Sequence, residues 1–197
     1  MIIRHRGFTP VISETAVVAP TAVVCGRVTI GDHARVLHGA VLTAEDGEVT
    51  IGANVVVMEN AVIKGRDGHP AVIGSNVLIG PHAHLNGCVI EDDSFVATGA
   101  SVFPSAVVGQ GSEVRINAVV QVHTHLAPQT VVPIGWIAVG DPAQLHSPGE
   151  HEDFWQVQRE LDFPGTVYGV TRDIDMSELM RRQVAFYGPH ADDEVVG

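Results

Sequence analysis

The fold is decided by the stretch of residues 90–132, which reads IEDDSFVATGASVFPSAVVGQGSEVRINAVVQVHTHLAPQTVV. In it a large aliphatic residue returns at every sixth position: Ile90, Val96, Val102, Val108, Val114, Val120, Leu126 and Val132. Four residues after these positions the side chain is small: Ser94, Ala100, Ala106, Ser112 and Ala118. A large and a small residue recurring at a fixed phase of six are typical of a parallel β-helix built from hexapeptide repeats.

The same spacing extends toward the N-terminus as far as Ile12. It is interrupted by two longer steps, whose intervening segments run from Thr43 to Val49 and from Lys64 to Ala71. Because both segments are polar and contain glycine, we expect surface loops at corners of the coil. Insertions in solenoids tend to gather on the binding face, so these loops are expected to border a site.

Three hexads make one coil of about 18 residues, and stacked coils pair as parallel strands. The predicted organisation is therefore an N-terminal segment (1–11), a β-helix (12–146), and a C-terminal helical extension with a tail (147–197). Helices are predicted at 150–161 and 176–186, packed along the coil to cover it. Residues 190–197 are expected to form a frayed acidic tail.

Composition excludes several classes of function. The chain has 197 residues, with 11 Lys and Arg against 23 Asp and Glu, for a formal charge of −12. That balance argues against nucleic acid or an anionic membrane as a partner, since both require a basic surface. Two cysteines do not make a disulfide framework, and no apolar run is long enough to cross a bilayer. A cytoplasmic protein is expected.

Residues one coil apart should stack, so Thr43, Lys64 and Asn86 are expected to form one outward-facing column. The spacing brings His38, Glu59 and Lys64 toward one corner, where a carboxylate beside an imidazole suits acid–base catalysis and the ammonium suits an anion. These three are the candidate catalytic residues. The candidate substrate contacts are Thr43, Glu45, Asn60, His82, Asn86 and Arg115.

The repeat, the segment Leu85–Cys88 (LNGC) and the exit Val139–Ala143 (VGDPA) resemble the gamma-class carbonic anhydrases. The resemblance implies a left-handed parallel β-helix, a homotrimer, and zinc held between subunits by three histidines. At the three ligand positions this chain carries Lys64, Pro81 and Asn86 instead.

Proline offers no ligand and a protonated lysine repels zinc, so no cofactor is predicted at those positions. Zinc or another divalent metal at a displaced site remains an alternative, because the chain contains two pairs of histidines two residues apart. These are His82, His84, His123 and His125.

The leading hypothesis is a trimer without the zinc triad that binds, or acts on, a small polar or anionic molecule in the cleft between subunits. One alternative is an acyltransferase or thioesterase that uses acyl-coenzyme A, as other hexapeptide proteins do. A second alternative is a structural or assembly subunit without catalysis. A third is a carbonic anhydrase with a displaced metal.

Overall fold

A computed structural model describes residues 1–197 as a parallel β-solenoid with three faces, followed by short helices. Face 1 consists of Val17–Val18, Arg35–Val36, Val56–Val57, Leu78–Ile79, Phe95–Val96, Glu113–Val114 and Val131–Val132. Face 2 consists of Ile2–Arg4, the first halves of Val23–Ile30 and Val41–Ile51, then Val62–Gly65, His84–Asn86, Ser101–Val102, Val119–Val120 and Ile137–Val139. Face 3 consists of Val11–Ile12, the second halves of the same two long strands, then Ala71–Ile73, Val89–Ile90, Val107–Val108 and His125–Leu126. The antiparallel strand Gln144–His146 follows at the end of face 2.

The predicted register is confirmed residue by residue. On face 2, Leu42 pairs with Ile63, Ile63 with Leu85, and Leu85 in turn with Val102. These side chains are fully buried, because each strand turns one large residue inward where the three faces meet. The small residues at the corners, such as Ala83 and Ala100, are equally buried and let adjacent faces approach one another.

The first predicted loop is instead part of a strand, so that prediction is wrong. Val41–Ile51 runs without interruption around the corner from face 2 to face 3, alongside Val23–Ile30. Glycine makes this close approach feasible. Gly26 has φ +81°, and a Cβ there would lie 2.6 Å from the carbonyl oxygen of Ala44. The second predicted loop does contain a turn, closed by a bridge between Arg66 and His69.

Both predicted helices are present, with a shorter one between them. Helix α1 spans His151–Gln158 and continues as the 3₁₀ turn Arg159–Leu161, α2 spans Phe163–Tyr168, and α3 spans Met176–Tyr187. The predicted helices pack on the coil as expected: α1 contacts Ile137–Val139, and Tyr187 of α3 accepts a hydrogen bond from Lys64. The additional helix α2 does so too, since Arg66 donates to the carbonyl of Val167 and His123 Nε2 lies 3.0 Å from Thr166 Oγ1. None of the helices combines the length and the hydropathy required to cross a membrane.

The expected frayed tail is also wrong. After the 3₁₀ turn Gly188–Asp192, the strand Glu194–Val195 pairs antiparallel with Ile3–Arg4. Arg4 and Glu194 form an ion pair at 2.8 Å. The N-terminal strand at the open end of face 2 offers unpaired backbone groups, and the C-terminus satisfies them.

Candidate functional site

A column of polar side chains crosses the outer surface of face 2. Thr43 is the backbone partner of Lys64, and Lys64 is the partner of Asn86, so the three lie side by side on successive coils. Their neighbours Leu42, Ile63 and Leu85 point into the core, and alternation along each strand therefore turns the column outward.

Lys64 has three neighbours on this face. Its Nζ donates to the hydroxyl of Tyr187 at 3.2 Å, lies 3.7 Å from Glu45 Oε1, and stands 5.1 Å from the centre of the Tyr187 ring. The carboxylate and the aromatic ring both attract an ammonium group.

Glu45 is a buried carboxylate, only 5% exposed, with three polar neighbours. The Thr43 hydroxyl donates to Oε1 at 3.2 Å, and His190 Nε2 lies 2.8 Å from Oε2. With Lys64 beside it, the charge of Glu45 is compensated although the residue is removed from water.

His190 bridges two carboxylates, since its Nδ1 lies 2.8 Å from Asp193 Oδ2. Burial acts to lower the pKa of His190, but its hydrogen bonds to Asp193 and Glu45 outweigh burial and raise that pKa. Burial raises the pKa of Asp193, but hydrogen bonds from His190 and His5 lower it by more. The pKa of Asp193 is therefore below its usual value. At Cys25, burial and the charge of Asp193 raise the thiol pKa to about 11.

A cavity of about 330 Å³ lies over these groups. One wall is apolar and consists of Ile3, Val23, Val41 and Val62. The other wall is polar and consists of Cys25, Thr43, Glu45, Lys64, His190 and Asp193. This volume is at the lower end of the range of small-molecule sites, and the two walls suit a ligand with one polar end.

Asn86 borders this region and has a side-chain oxygen without a hydrogen-bond partner. The residue is 7% exposed, and its Oδ1 is buried without any hydrogen-bond partner. Gln121 Oε1, two coils further along the same column, is also buried and unpartnered. A buried acceptor left unpaired costs about 1–3 kcal/mol, so such atoms mark places where a donor belongs.

His84 lies on the same face, beside the column. Burial, and secondarily the Lys64 ammonium, lower the pKa of His84 below its usual value. His84 is therefore a neutral imidazole near neutral pH, able both to donate and to accept a hydrogen bond.

The predicted corner residues do not join Lys64 within one chain. His38 Nδ1 bonds to Thr21 Oγ1 at 2.8 Å, and Glu59 is not hydrogen-bonded to it. Asn60 and His82 occupy left-handed corner positions, with φ of 59° and 57°. This corner precedes the face 2 strands, whereas Lys64 lies near the end of one, so the length of the strand separates them.

The remaining predicted residues lie elsewhere. Arg115 is exposed and paired with Glu113 at 3.0 Å. His123 contacts Thr166, and the exposed His125 has Asp141 as its neighbour at 3.9 Å. No group of three metal-ligating side chains forms around His82, His84, His123 or His125.

The zinc implied by the resemblance does not fit the residues at its three positions. A lysine ammonium has no lone pair for a metal, and the Lys64 nitrogen is already engaged with Tyr187 and Glu45. Pro81 has no ligating atom, which leaves only the amide of Asn86.

Five residues of this region escaped the sequence prediction: His5, Cys25, Tyr187, His190 and Asp193. The six-residue spacing could have found Cys25, which lies one coil before its partner Thr43, but it could not have found the others, since His5 and Asp193 are 188 residues apart. Only the docking of the C-terminus on face 2 brings them to Glu45.

Comparison with known proteins agrees with the fold. Residues 70–104 match the family model described as bacterial transferase hexapeptide (six repeats). A hexapeptide transferase family protein from Anaplasma phagocytophilum superposes with a TM-score of 0.52 at 22% identity, over 96% of this chain and 94% of that one. The class is thus that of the hexapeptide-repeat β-solenoid proteins.

Within that class the similarity is more specific. The chain is 32% identical to the mitochondrial gamma carbonic anhydrase 1 of Arabidopsis thaliana over 154 residues, 72% of this chain and 54% of the relative. It is 29% identical to gamma carbonic anhydrase 2 of the same plant, over 72% of this chain and 53% of the relative. The chain spans about half the length of these curated relatives. These similarities support the resemblance to gamma carbonic anhydrases and other hexapeptide-repeat proteins that the sequence shows.

Proposed function

We propose that the protein is a homotrimer that binds a small oxyanion in a cleft between subunits, without zinc at the family's positions. The bound molecule carries both a negatively charged oxygen and its own O–H or N–H donor. The oxygen binds the Lys64 ammonium, and the donor binds the Asn86 amide oxygen.

The observation that carries this proposal is the unpartnered Asn86 Oδ1 beside a lysine on the same column. The ammonium supplies attraction for an anion, and the orphaned acceptor requires a donor. A simple carboxylate satisfies only the first group, whereas a hydroxy acid satisfies both.

Two subunits are needed because the candidate residues lie at opposite ends of face 2. Pro81 and His82 belong to the corner that precedes the face, and Lys64 and Asn86 to the column near its end. In the family that this chain resembles, the corresponding site lies between subunits. A neighbour's corner would bring His38, Glu59 and His82 over the column, and would cover the partly exposed Val41 and Val62 of face 2.

The corner itself has an apolar surface to bury. Ile116 and Ile134 stack on it and are 44% and 62% exposed. Apolar side chains of this size are stabilised when a second subunit covers them.

Titration calorimetry with glycolate and acetate tests the proposal. Glycolate should bind more tightly than acetate, because only glycolate has a hydroxyl for Asn86. Lys64→Met should weaken glycolate binding roughly 10- to 100-fold, the usual value of a charged hydrogen bond. Asn86→Leu should remove the preference for glycolate while leaving the melting temperature unchanged or higher.

The matched control is Arg159→Met, which removes an exposed cation on the helical extension. It should bind glycolate like the wild type. Equal binding by the wild type and Lys64→Met would contradict the site. Binding of acyl-coenzyme A in place of any small oxyanion would favour acyl transfer, and binding of neither would favour an assembly subunit.

A further inference from the structure

Four side chains with metal-ligating atoms converge where the two chain ends meet face 2. They are His5, Cys25, His190 and Asp193, and we call them the terminal cluster. One ligand atom from each lies within 4.8 Å of those of all the others. His5 and Cys25 are buried, at 2% and 3% exposure, so two of the four donors are shielded from water.

The distances within the terminal cluster are close to those of a metal's coordination shell. His5 Nδ1 lies 2.6 Å from Asp193 Oδ1, and His190 Nδ1 lies 2.8 Å from Asp193 Oδ2. Cys25 Sγ lies 4.0 Å from the same carboxylate. Bonds of about 2.0–2.3 Å in a tetrahedron place neighbouring ligand atoms roughly 3.3–3.8 Å apart. The observed separations fall on both sides of this range, so small side-chain movements would complete the shell.

We propose that the terminal cluster binds one divalent transition metal ion of the zinc type, with His5 Nδ1, Cys25 Sγ, His190 Nδ1 and one Asp193 oxygen as its ligands. Two imidazoles, a thiolate and a carboxylate make a donor set that zinc accepts in tetrahedral geometry. The hard cations magnesium and calcium prefer shells made of oxygen, which this cluster does not offer.

A second feature supports His190 as a ligand. Its Nε2 lies 2.8 Å from Glu45 Oε2, and Glu45 is itself held by Thr43 and Lys64. A metal-bound histidine typically donates its other ring N–H to a carboxylate, which fixes the tautomer and aims the free nitrogen at the metal. Glu45 is placed to accept the N–H of His190 Nε2, which leaves Nδ1 to bind the metal.

The rings of His5 and His190 lie next to each other in the terminal cluster. The rings of His5 and His190 are stacked with centroids 4.2 Å apart and an interplanar angle of 22°. Two imidazoles this close repel each other if both are protonated. A metal bound by both Nδ1 atoms would require one ring to rotate until the two in-plane lone pairs converge, and both rings would then bind as neutral ligands.

Such a metal would join three parts of the chain. His5 follows the first strand, Cys25 belongs to the second coil of face 2, and the other two ligands belong to the C-terminal segment. The binding energy of the metal would therefore hold both chain ends on the solenoid, beside the cavity that contains Lys64. The site is separate from the positions of Lys64, Pro81 and Asn86, where zinc does not fit.

The test is cobalt(II) titration of the full-length protein, stripped of metal by a chelator beforehand. One equivalent of cobalt should produce the d–d absorption of a tetrahedral ion and a charge-transfer band from the thiolate. Cys25→Ser should lose the charge-transfer band, and Cys88→Ala should retain it as the matched control, because Cys88 is buried in the core away from the cluster. Glu45→Gln should weaken cobalt affinity roughly 10- to 100-fold through His190.

Zinc gives an independent readout. Addition of zinc should raise the melting temperature of the wild type, and Asp193→Asn should reduce that rise even if Cys25→Ser does not fold. No stoichiometric cobalt binding would overturn the proposal and leave the cluster a hydrogen-bonded network only. A thiolate band that survives Cys25→Ser would overturn it as well.

Discussion

Asn86 and Lys64 occupy the same kind of strand position, whose surroundings are changed here by the C-terminal segment. Each follows an inward aliphatic residue, and such a position is ordinarily a solvated face of a strand. Here the C-terminal segment adds Tyr187 over the lysine and His190 over Glu45. The result is a partly desolvated group of charges, in which each interaction is stronger than on an open surface.

At the residue scale, His84 makes stability depend on pH. Burial and the Lys64 charge lower its pKa in the folded state. As pH falls through about 6.5, His84 becomes protonated in the unfolded chain but stays neutral in the folded chain. The free energy of unfolding therefore decreases. We expect His84→Gln to lessen the fall in melting temperature between about pH 7.5 and about pH 5.5.

The control for this measurement is His125→Gln, since the side chain of His125 is 52% exposed. That variant should follow the pH profile of the wild type. If His84→Gln and the wild type lose the same number of degrees on acidification, His84 is not the titrating group.

At the scale of elements, the long strands Val23–Ile30 and Val41–Ile51 depend on glycine. Two glycines share a left-handed backbone but differ in their surroundings. Gly26 has φ +81° and meets the neighbouring strand, whereas Gly68 has φ +70° and a Cβ added there would meet nothing within 4 Å. Comparing substitutions at the two glycines therefore distinguishes the stability cost of backbone strain from that of a steric collision.

We expect Gly68→Ala to reduce the free energy of unfolding by about 1 kcal/mol, from the positive φ alone. Gly26→Ala should cost about 3 kcal/mol, because the added methyl group also collides with the carbonyl of Ala44. Denaturant unfolding of both variants measures the difference. Equal losses would mean that the strands move apart without penalty.

At the scale of the whole molecule, the solenoid separates the two halves of the proposed site. The corner with Glu59 comes before face 2, and the column with Lys64 comes near its end. Native mass spectrometry should report three copies of the chain, in line with the proposed homotrimer.

Mixing variants tests the shared cleft. Glu59→Gln and Lys64→Met should each bind glycolate poorly when assembled alone. Trimers re-formed from an equal mixture should regain part of the binding, because some clefts then combine an intact corner with an intact column. No recovery in trimers that demonstrably mix would show that the two residues do not share a cleft.

The sequence alone determined the solenoid, its register and the two longer C-terminal helices. A spacing of six fixes which side chains face inward, and that choice depends only on neighbours along the chain and one coil away. It placed Thr43, Lys64 and Asn86 in one column, as observed.

Only the tertiary structure decided what covers that column. The path of Val41–Ile51 around the corner and the return of residues 188–197 to the N-terminal strand both depend on contacts between distant segments. His5, Cys25, His190 and Asp193 meet for that reason. No periodic pattern encodes such a meeting, because it arises when the last segment of the chain pairs with the exposed edge left by the first.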